Sequence, residues 1–440
     1  MISRISSFMT MVVNRFLPDP LIFAILLTIL VFGLGVFFTP STPLDMIKMW
    51  GDGFWNLLAF GMQMALVLVA GSALASAPLI KGFLKSISMI AKTPTQGVML
   101  VTFVASIACS INWGFGLVVG AMFAKEVAKN VKGSHYPLLI ASAYIGFLTW
   151  GGGLSGSIPL MAATPGNPIE NTLGLISLKD TIFSHYNIFV ITALIIIMPF
   201  ATRLMSPKNP KDAHCINPSL ITEESNFQKE VSPNDPPALR LEESKILNFI
   251  IVIIGFIYLV SYLYSTHFNI TINTVNMILI LAGLFLHKTP MAYMRAISYA
   301  TKSCASILIQ FPFYASIQLM IEHSGLGLMI TQFFIEVSNK HTFAIMTFFS
   351  SALVNFAVPS GGGHWIIQAP FVMPAAQTIG ADLGKAVMAI SYGEQWMNMA
   401  QPFWALPALA IAGLGVRDIM GYCITALLIS CPIFIIGLIL

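Results

Sequence analysis

Two stretches rich in asparagine, serine and glycine interrupt long apolar segments, and their residue types are suited to binding a small anion. The first runs from Asn112 to Gly116 and the second from Asn355 to Trp365. Inside a bilayer, backbone N–H groups freed by a helix break must be satisfied by protein or by a water-filled cavity. Helix N-termini also carry partial positive charge, which stabilises a carboxylate without a buried lysine or arginine. We predict substrate contacts from Asn112, Gly114, Gly116, Asn355, Ser360, Gly361, Gly362, Gly363 and His364.

Interruptions are also predicted inside two spanning segments, one in each half of the chain. Gly151, Gly152 and Gly153 are consecutive in an apolar run, and Ser155 follows shortly after. Each glycine costs a helix about 1 kcal/mol relative to alanine, so this run predicts an unwound stretch. The second such stretch lies between Ser391 and Pro402. We add Gly151, Gly152 and Ser155 to the predicted substrate site, while close packing of two helices is the alternative explanation of the glycines.

An acid inside a predicted spanning segment indicates a path for an ion or a proton. Glu394 is the sole acid well inside such a segment, and Asn398 follows one helical turn later. Asparagine and backbone oxygens are hard ligands that suit sodium. We predict Glu394 and Asn398 as ion-coupling residues, with sodium or a proton as the coupling ion. Two alternatives stay open, namely that Glu394 pairs with Lys385 and that His364 is only a hydrogen-bonded structural group.

Motifs of other function classes do not fit this chain. The five cysteines are scattered singly, without the spacing of a metal site or a disulfide framework. Gly116 to Gly120 does not continue into a phosphate-binding loop with a lysine, and no serine, histidine and acid have the spacing of a known nucleophile motif. We therefore predict that the protein is not an enzyme, holds no organic cofactor or certain metal, and does not bind nucleic acid.

The elements that must position these residues are membrane helices. The chain is 56% hydrophobic and 9% charged, with a mean hydropathy of +0.82, which is far more apolar than a soluble domain. A spanning helix needs about 20 mostly apolar residues. About nine segments meet this requirement: 21–38, 54–77, 137–163, 187–202, 246–265, 274–287, 303–321, 386–413 and 419–439.

Two further apolar runs are too long for one span and contain the tips described above. They cover about 95–128 and about 342–379, and we predict that each is a re-entrant hairpin of two half-depth helices. Lysines lie on both sides of the first run, at 81, 85 and 92 before it and at 125, 129 and 132 after it. Since positive loops stay in the cytoplasm, the first hairpin enters from that side and the second from the outside. The same rule places the N-terminus in the cytoplasm and the C-terminus outside.

These segments predict an all-α polytopic membrane protein built as an inverted-repeat secondary transporter. The first half covers 1–202, a polar cytoplasmic linker covers 203–245, a connecting helix with a short outer loop covers 246–273, and the second half covers 274–440. Uncharged surroundings of both tips favour a small monocarboxylate, because a dicarboxylate would more often need a cationic side chain. A channel is a further alternative, although paired breaks fit alternating access better.

Several long strings resemble the short-chain fatty acid transporters of the acetoacetate-degradation type, and the resemblance spans nearly the whole chain. The strings cover 17–24, 49–58, 112–117, 163–168, 358–365 and 392–398. The resemblance implies uptake of short monocarboxylates such as acetoacetate or butyrate, a form of lipid transport, into a bacterial cell across its inner membrane, and we predict that this uptake is symport with the coupling cation. It also implies membership of a broader ion transporter superfamily that uses opposed hairpins and elevator-like motion, in which homodimers are common. A dicarboxylate or amino-acid carrier of that superfamily remains the alternative, and an anion channel is another.

Overall fold

A computed structural model describes residues 2–165, 167, 169–207, 209, 213–217, 232, 235–266, 271–301, 304–356 and 358–440. Every regular element in these ranges is helical, so the prediction of an all-α protein is confirmed. The described helices of the first half are α1 (Ile2–Phe16), α2 (Pro20–Phe38), α3 (Pro43–Gly53), α4 (Leu58–Ser76), α5 (Pro78–Ser88), α6 (Pro94–Ile111), α7 (Trp113–Asn130), α8 (Tyr136–Ile145), α9 (Ser157–Ala162), α10 (Glu170–Leu173) and α11 (His185–Met205).

Eleven helices are described after residue 205. They are α12 (Pro237–Glu242), α13 (Lys245–Ser265), α14 (Ile272–His287), α15 (Pro290–Thr301), α16 (Ala305–Ser324), α17 (Leu326–Glu336), α18 (Phe343–Asn355), α19 (Gly361–Ile379), α20 (Leu383–Met397), α21 (Leu406–Ala412) and α22 (Val416–Ile439). Short 3-10 turns cover Gly146–Thr149 and Phe403–Ala405.

Proline and polar caps explain where many of these helices begin. Pro20, Pro43 and Pro94 occupy the first turn of α2, α3 and α6, where a missing N–H costs nothing. Asp19 accepts a hydrogen bond from the Leu21 N–H at 3.0 Å. The predicted start of the first spanning helix after residues 17–20 is therefore confirmed.

Five described helical segments are long and apolar enough to cross a membrane, and a sixth is added if the bent pair Gly61–Leu74 and Pro78–Ser88 is one span. The five are Leu21–Phe38, Pro94–Ile111, His185–Met205, Pro237–Ser265 and Val416–Ile439. Other predicted spans are divided into shorter helices, as 137–163 is into α8 and α9. The total of about nine spanning helices therefore stays a prediction.

Both over-long apolar runs form helical hairpins. The arms α6 and α7 meet at Asn112, and α18 and α19 are joined through residues 356–360. A β-carbon at Gly116 would overlap Cys109 of the facing arm, so glycine allows the arms to touch. We name Asn112–Gly116 the first tip and the described residues of 355–363 the second tip.

The arms of the first hairpin are longer than half a bilayer. Each has 18 residues and is about 27 Å long. Lys125, Glu126 and Lys129 near the end of α7 belong outside the hydrocarbon layer, which leaves twelve residues from Trp113 to Ala124, about 18 Å, for the apolar part. The two arms of the hairpin are therefore present in the structure. Its entry and exit at one membrane face and the depth of its tip in the membrane stay predictions.

Both predicted interrupted helices are confirmed. After α8 and its 3-10 turn, Trp150–Gly156 form turns before α9 begins, and Asn398–Pro402 are non-helical between α20 and the second 3-10 turn. We name these two segments the first break and the second break. α8 and α20 are buried almost throughout and lie at the centre of the molecule.

The periphery contains the connecting helix and the described parts of the linker. In α13 the side chains of Asn248 and Leu259 alone are buried among the described residues, so the remaining surface of this apolar helix is available to lipid. Much of the predicted linker lies outside the described residues. Three of its lysines, Lys208, Lys211 and Lys229, are among the residues that are not described. Its described end contains Glu243, which forms an ion pair with Arg295 at 2.7 Å.

The helix α16 corrects one expectation. It extends to Ser324, beyond the predicted end at residue 321, and therefore includes Glu322. Glu394 is not the sole acid inside an apolar helix of the bundle.

Candidate functional site

The first tip is tied to the first break by hydrogen bonds. Asn112 caps α7, and its Oδ1 accepts the Phe115 N–H at 3.0 Å. The Trp113 N–H donates to Ser155 Oγ at 2.9 Å, and the Leu154 N–H donates to the Ser110 carbonyl oxygen at 2.7 Å. The side chain of Ser155 therefore satisfies an N–H group that the start of a helix leaves without an intrahelical partner.

The glycines of the first break contact side chains from the second half and from α11. The Gly152 N–H donates to Gln395 Oε1 at 3.2 Å, and its carbonyl oxygen accepts from Asn187 Nδ2 at 2.9 Å. The Gly151 carbonyl oxygen accepts from Ser391 Oγ at 2.9 Å. Both glycines are buried. Their described polar contacts are thus with protein, which fits a structural role of this part of the break.

A cluster of amide side chains connects the second tip with the second break. Asn355 Nδ2 donates to the Glu394 carbonyl oxygen at 2.9 Å and to Asn398 Oδ1 at 3.0 Å. Gln401 Nε2 donates to the same Asn398 oxygen at 3.0 Å. All of these side chains are fully buried. The predicted residues Asn355, Asn398 and Glu394 are therefore brought together.

The carboxyl group of Glu394 lies directly behind the second tip. The residue is 0% exposed, and neither carboxyl oxygen has a hydrogen-bond partner among the described residues. A β-carbon at Gly361 would lie 3.4 Å from Glu394 Oε2. The sequence left open a pairing of Glu394 with Lys385. In the structure, the ammonium group of Lys385 lies 5.7 Å from the centre of the Tyr186 ring.

His364 is placed inside the second hairpin. Its Nε2 lies 2.8 Å from Ser351 Oγ and 2.9 Å from Gln368 Oε1. Ser351 Oγ donates its own hydrogen to the Ile390 carbonyl oxygen at 2.6 Å, so it accepts from the imidazole. The imidazole is 0% exposed and links α18 to α19, and Ser351 links both to α20.

A cavity of about 330 Å³ lies between the two tips. The helices α7 and α19 both begin at its wall, so the positive N-terminal ends of two helices from different parts of the chain lie at one cavity. The described residues that line it are uncharged and are mostly apolar in contact surface. They are Asn112, Trp113, Gly114, Ser155, Ser157, Leu160, Met161, Thr271, Val275 and Gly362.

Four of the predicted substrate residues line this cavity, and the other eight are not among its described lining residues. Those at the wall are Asn112, Gly114, Ser155 and Gly362. Those outside the described lining are Gly116, Gly151, Gly152, Asn355, Ser360, Gly361, Gly363 and His364, and the ion-coupling residues Glu394 and Asn398. Of the second group, Ser360 caps α19 by accepting the Gly363 N–H at 3.4 Å.

Sequence reasoning did not assign several lining residues. Ser157 begins α9, and its neighbours Leu160 and Met161 follow within one helical turn, so the position of Ser157 after the glycine run was an available signal. Thr271 and Val275 come from the start of α14, far away in the chain. Nothing in their local sequence distinguishes them from other residues of an apolar helix.

An apolar helical bundle with two interrupted helices, and with an uncharged cavity between its two tips, is typical of a multi-pass membrane protein of the transporter class. The chain belongs to the short chain fatty acid transporter family, because the model of that family matches residues 1–440. The family resemblance seen in the sequence is therefore confirmed.

Two similar curated proteins come from bacteria. A protein of Escherichia coli (strain K12), named "Putative short-chain fatty acid transporter", is 69% identical over 438 residues, which cover 100% of this chain and 99% of that one. A protein of Haemophilus influenzae (strain ATCC 51907 / DSM 11121 / KW20 / Rd) with the same name is 62% identical over 445 residues, with 100% and 99% covered.

A solved structure also matches. The YdaH transporter of Alcanivorax borkumensis aligns at 18% sequence identity and a TM-score of 0.45, covering 96% of this chain and 97% of that chain.

Proposed function

We propose that this protein is a secondary active transporter that imports small monocarboxylates, such as acetoacetate or butyrate, across the bacterial inner membrane by cation symport. Its family membership supports the substrate class. The observation that carries the proposal is the cavity where α7 and α19 begin, because it combines two positive helix ends with a largely apolar wall. The substrate's carboxylate would bind at the two helix ends, and its short alkyl chain would pack against the apolar wall.

The lining argues for one carboxylate rather than two. Its described polar groups are Asn112, Ser155, Ser157 and Thr271, together with backbone at Gly114 and Gly362. The apolar lining residues Leu160, Met161 and Val275 offer nothing that would compensate a second carboxylate for its loss of hydration. A dicarboxylate carrier is therefore the less favoured member of the same superfamily, and an amino acid would face the same problem with its ammonium group.

Glu394 and Asn398 are the residues that we assign to ion coupling. A fully buried carboxyl group without a described hydrogen-bond partner is costly as a bare anion. Protonation or a bound sodium ion removes that cost. The position of Glu394 Oε2 behind Gly361 would let the protonation state or ion occupancy act on the second tip, and Asn398 connects the carboxyl segment to Asn355.

The architecture that we propose is an inverted repeat of 1–202 and 274–440. In it, the two hairpins enter from opposite membrane faces, the N-terminus is cytoplasmic and the C-terminus is periplasmic. The equivalent order of hairpin, interrupted helix and long helix in both halves supports the repeat. Alternating access then exposes the cavity to each face in turn.

Purified protein in vesicles tests the function directly. Uptake of labelled acetoacetate or butyrate is measured under an imposed inward proton or sodium gradient, and protein-free vesicles measure the passive permeation of the protonated acid. We expect saturable uptake above that background, accelerated by one of the two gradients. Replacing Glu394 by Gln is expected to remove the acceleration. Uptake that equals that of protein-free vesicles under both gradients would refute the proposed function.

A further inference from the structure

Four polar side chains follow one another at intervals of four residues along α16. They are Gln310, Tyr314, Gln318 and Glu322, which we name the polar file. Residues four apart lie on the same side of a helix, about 6 Å apart along its axis. The neighbouring sequence of α16 is largely apolar, so the polar file is a continuous polar row on an otherwise lipid-compatible helix.

Much of the polar file is buried without a described partner. Gln310 is 4% exposed and Tyr314 is 0% exposed. Gln310 Oε1, the Tyr314 hydroxyl and Gln318 Oε1 have no hydrogen-bond partner among the described residues, although Gln318 Nε2 donates to Glu322 Oε1 at 2.8 Å. Buried polar groups nearly always have a partner, from protein or from water. A spacing of about 6 Å is one that single water molecules bridge.

The polar file runs along the second tip and the second break. The Tyr314 ring meets Phe403, just after the second break, with ring centres 4.8 Å apart. A β-carbon at Gly363 would overlap Gln318 Nε2. On the other side of the same tip, Glu394 lies behind Gly361. The polar file and the buried carboxyl group of Glu394 thus flank the glycines that begin α19.

We propose that the polar file is a hydrated proton path that leads to the second tip, and that Glu322 is the carboxyl group that exchanges the coupling proton with solvent. Unlike Glu394, the side chain of Glu322 is partly exposed, so it can take up and release a proton. The inference rests on the cation coupling of the proposed function. It adds a second acid and a route, and it selects the proton over sodium.

Other titratable groups lie on Glu322's own helix and on the elements packed against it. His323 is its exposed neighbour in the chain. The remaining groups on α3, α17 and the second hairpin are Asp45, Lys48, Asp52, Glu336 and His364.

The first test separates coupling from substrate movement. Vesicles are assayed for acetoacetate uptake driven by an inward proton gradient, and for exchange of internal against external acetoacetate at equal pH. We expect Glu322→Gln to lower gradient-driven uptake at least ten-fold more than it lowers exchange. Glu336→Gln, at the exposed end of α17, is the matched control and should change neither rate more than two-fold.

The possible failures are distinct. A Glu322→Gln protein whose two rates fall by the same factor would refute the role of Glu322 alone. If wild-type protein catalyses exchange but its uptake rate does not respond to the proton gradient, proton coupling is refuted. Substrate transport as such is then still supported.

The second test probes hydration and does not depend on transport. In a variant whose native cysteines are replaced, Gln318→Cys is compared with Ile317→Cys, whose wild-type side chain is 0% exposed and lies off the polar file. A charged, water-soluble thiol reagent should label the first at least ten times faster. Equal labelling rates would refute a hydrated path along α16.

Discussion

Ser155 is the residue whose hydroxyl joins the first tip to the first break and also lines the cavity. Replacing it by alanine leaves the Trp113 N–H without its acceptor, which costs about 1–3 kcal/mol. We expect the KM of Ser155→Ala for butyrate to rise about 5- to 100-fold, as measured by uptake into vesicles.

Ser110→Ala is the control for this prediction. Ser110 lies next to the same tip, in the last turn of α6, but its hydroxyl is exposed and donates to the Ile107 carbonyl oxygen of its own helix. Its KM should stay within two-fold of wild type. Equal KM values for the two variants would show that the Trp113 contact has no part in binding.

Met161 is expected to limit the length of the substrate. It lines the cavity, and a β-carbon at Gly362 would be 3.5 Å from its sulfur atom. Truncation by Met161→Ala makes room for further methylene groups, each worth about 0.8 kcal/mol when buried. The ratio of kcat/KM for hexanoate to that for butyrate should rise about four-fold or more. The volume-conserving Met161→Leu should leave this ratio unchanged, and a constant ratio in both variants would contradict the prediction.

The sequence predicted the polar and glycine residues of the cavity better than its apolar ones. Asn112 and Gly114 stand out because their types are unusual inside an apolar run. Leu160 and Val275 do not, because an apolar residue at a cavity wall has the same sequence signal as one that faces lipid. Glu322 was not among the predicted residues, because the predicted segment 303–321 ends one residue before it, whereas α16 extends to Ser324.

Among the elements, the first hairpin depends on the close approach of its two arms. Gly116 of α7 touches α6 at Cys109, and a β-carbon there would overlap the backbone. Gly116→Ala should therefore destabilise the protein by about 1–3 kcal/mol, through the cost of overpacking. The thermal unfolding midpoint of the detergent-solubilised protein measures this change.

Gly33→Ala provides the matched comparison. Gly33 also lies inside a helix, α2, but a β-carbon there has no described atom within 4 Å. This substitution should leave the midpoint unchanged or raise it slightly, since alanine favours helix more than glycine does. A similar fall of the midpoint in both variants would contradict the packing argument.

Breaks marked by several glycines were predictable, whereas bends marked by one residue were not. The run Gly151–Gly153 indicated the first break correctly. The bend of 81° before Pro78 and the turn at Gly325 each lead into a further helix, α5 or α17, that is not among the predicted segments. A lone proline or glycine is tolerated in membrane helices, so its effect depends on the neighbouring helices rather than on the local sequence.

For the whole molecule, a hydrogen-bonded contact connects the linker to the last helix. The His214 N–H donates to His135 Nδ1 at 2.9 Å, so Nε2 keeps the imidazole hydrogen and donates to the Tyr422 hydroxyl at 2.8 Å. Burial, and secondarily His214, lower the pKa of His135 from 6.5 to about 4.

This contact predicts loss of stability in acid. Between about pH 6.5 and pH 4 the unfolded chain binds a proton on His135 that the folded chain does not, so stability falls as the pH falls through this window. The loss should be on the order of 1–3 kcal/mol. Thermal unfolding of the solubilised protein at pH 7.5 and pH 5 measures it.

Two variants isolate the contribution of His135. His135→Gln should reduce the difference between the two midpoints, because glutamine has no charge to gain. His341→Gln, which changes an exposed histidine, should preserve the wild-type difference. A difference that is the same in all three proteins would assign the acid sensitivity to other groups.

The bonds around the first break restrict how any displacement of the binding region can occur. Separating the break from α20 would free the Gly152 N–H and the Gly151 carbonyl oxygen, and separating it from α6 would free the Leu154 N–H. Each group left unpaired away from water costs about 1–3 kcal/mol. The movement that costs the least free energy keeps these hydrogen bonds intact. The bound substrate and the segments around it would then move together relative to the rest of the protein.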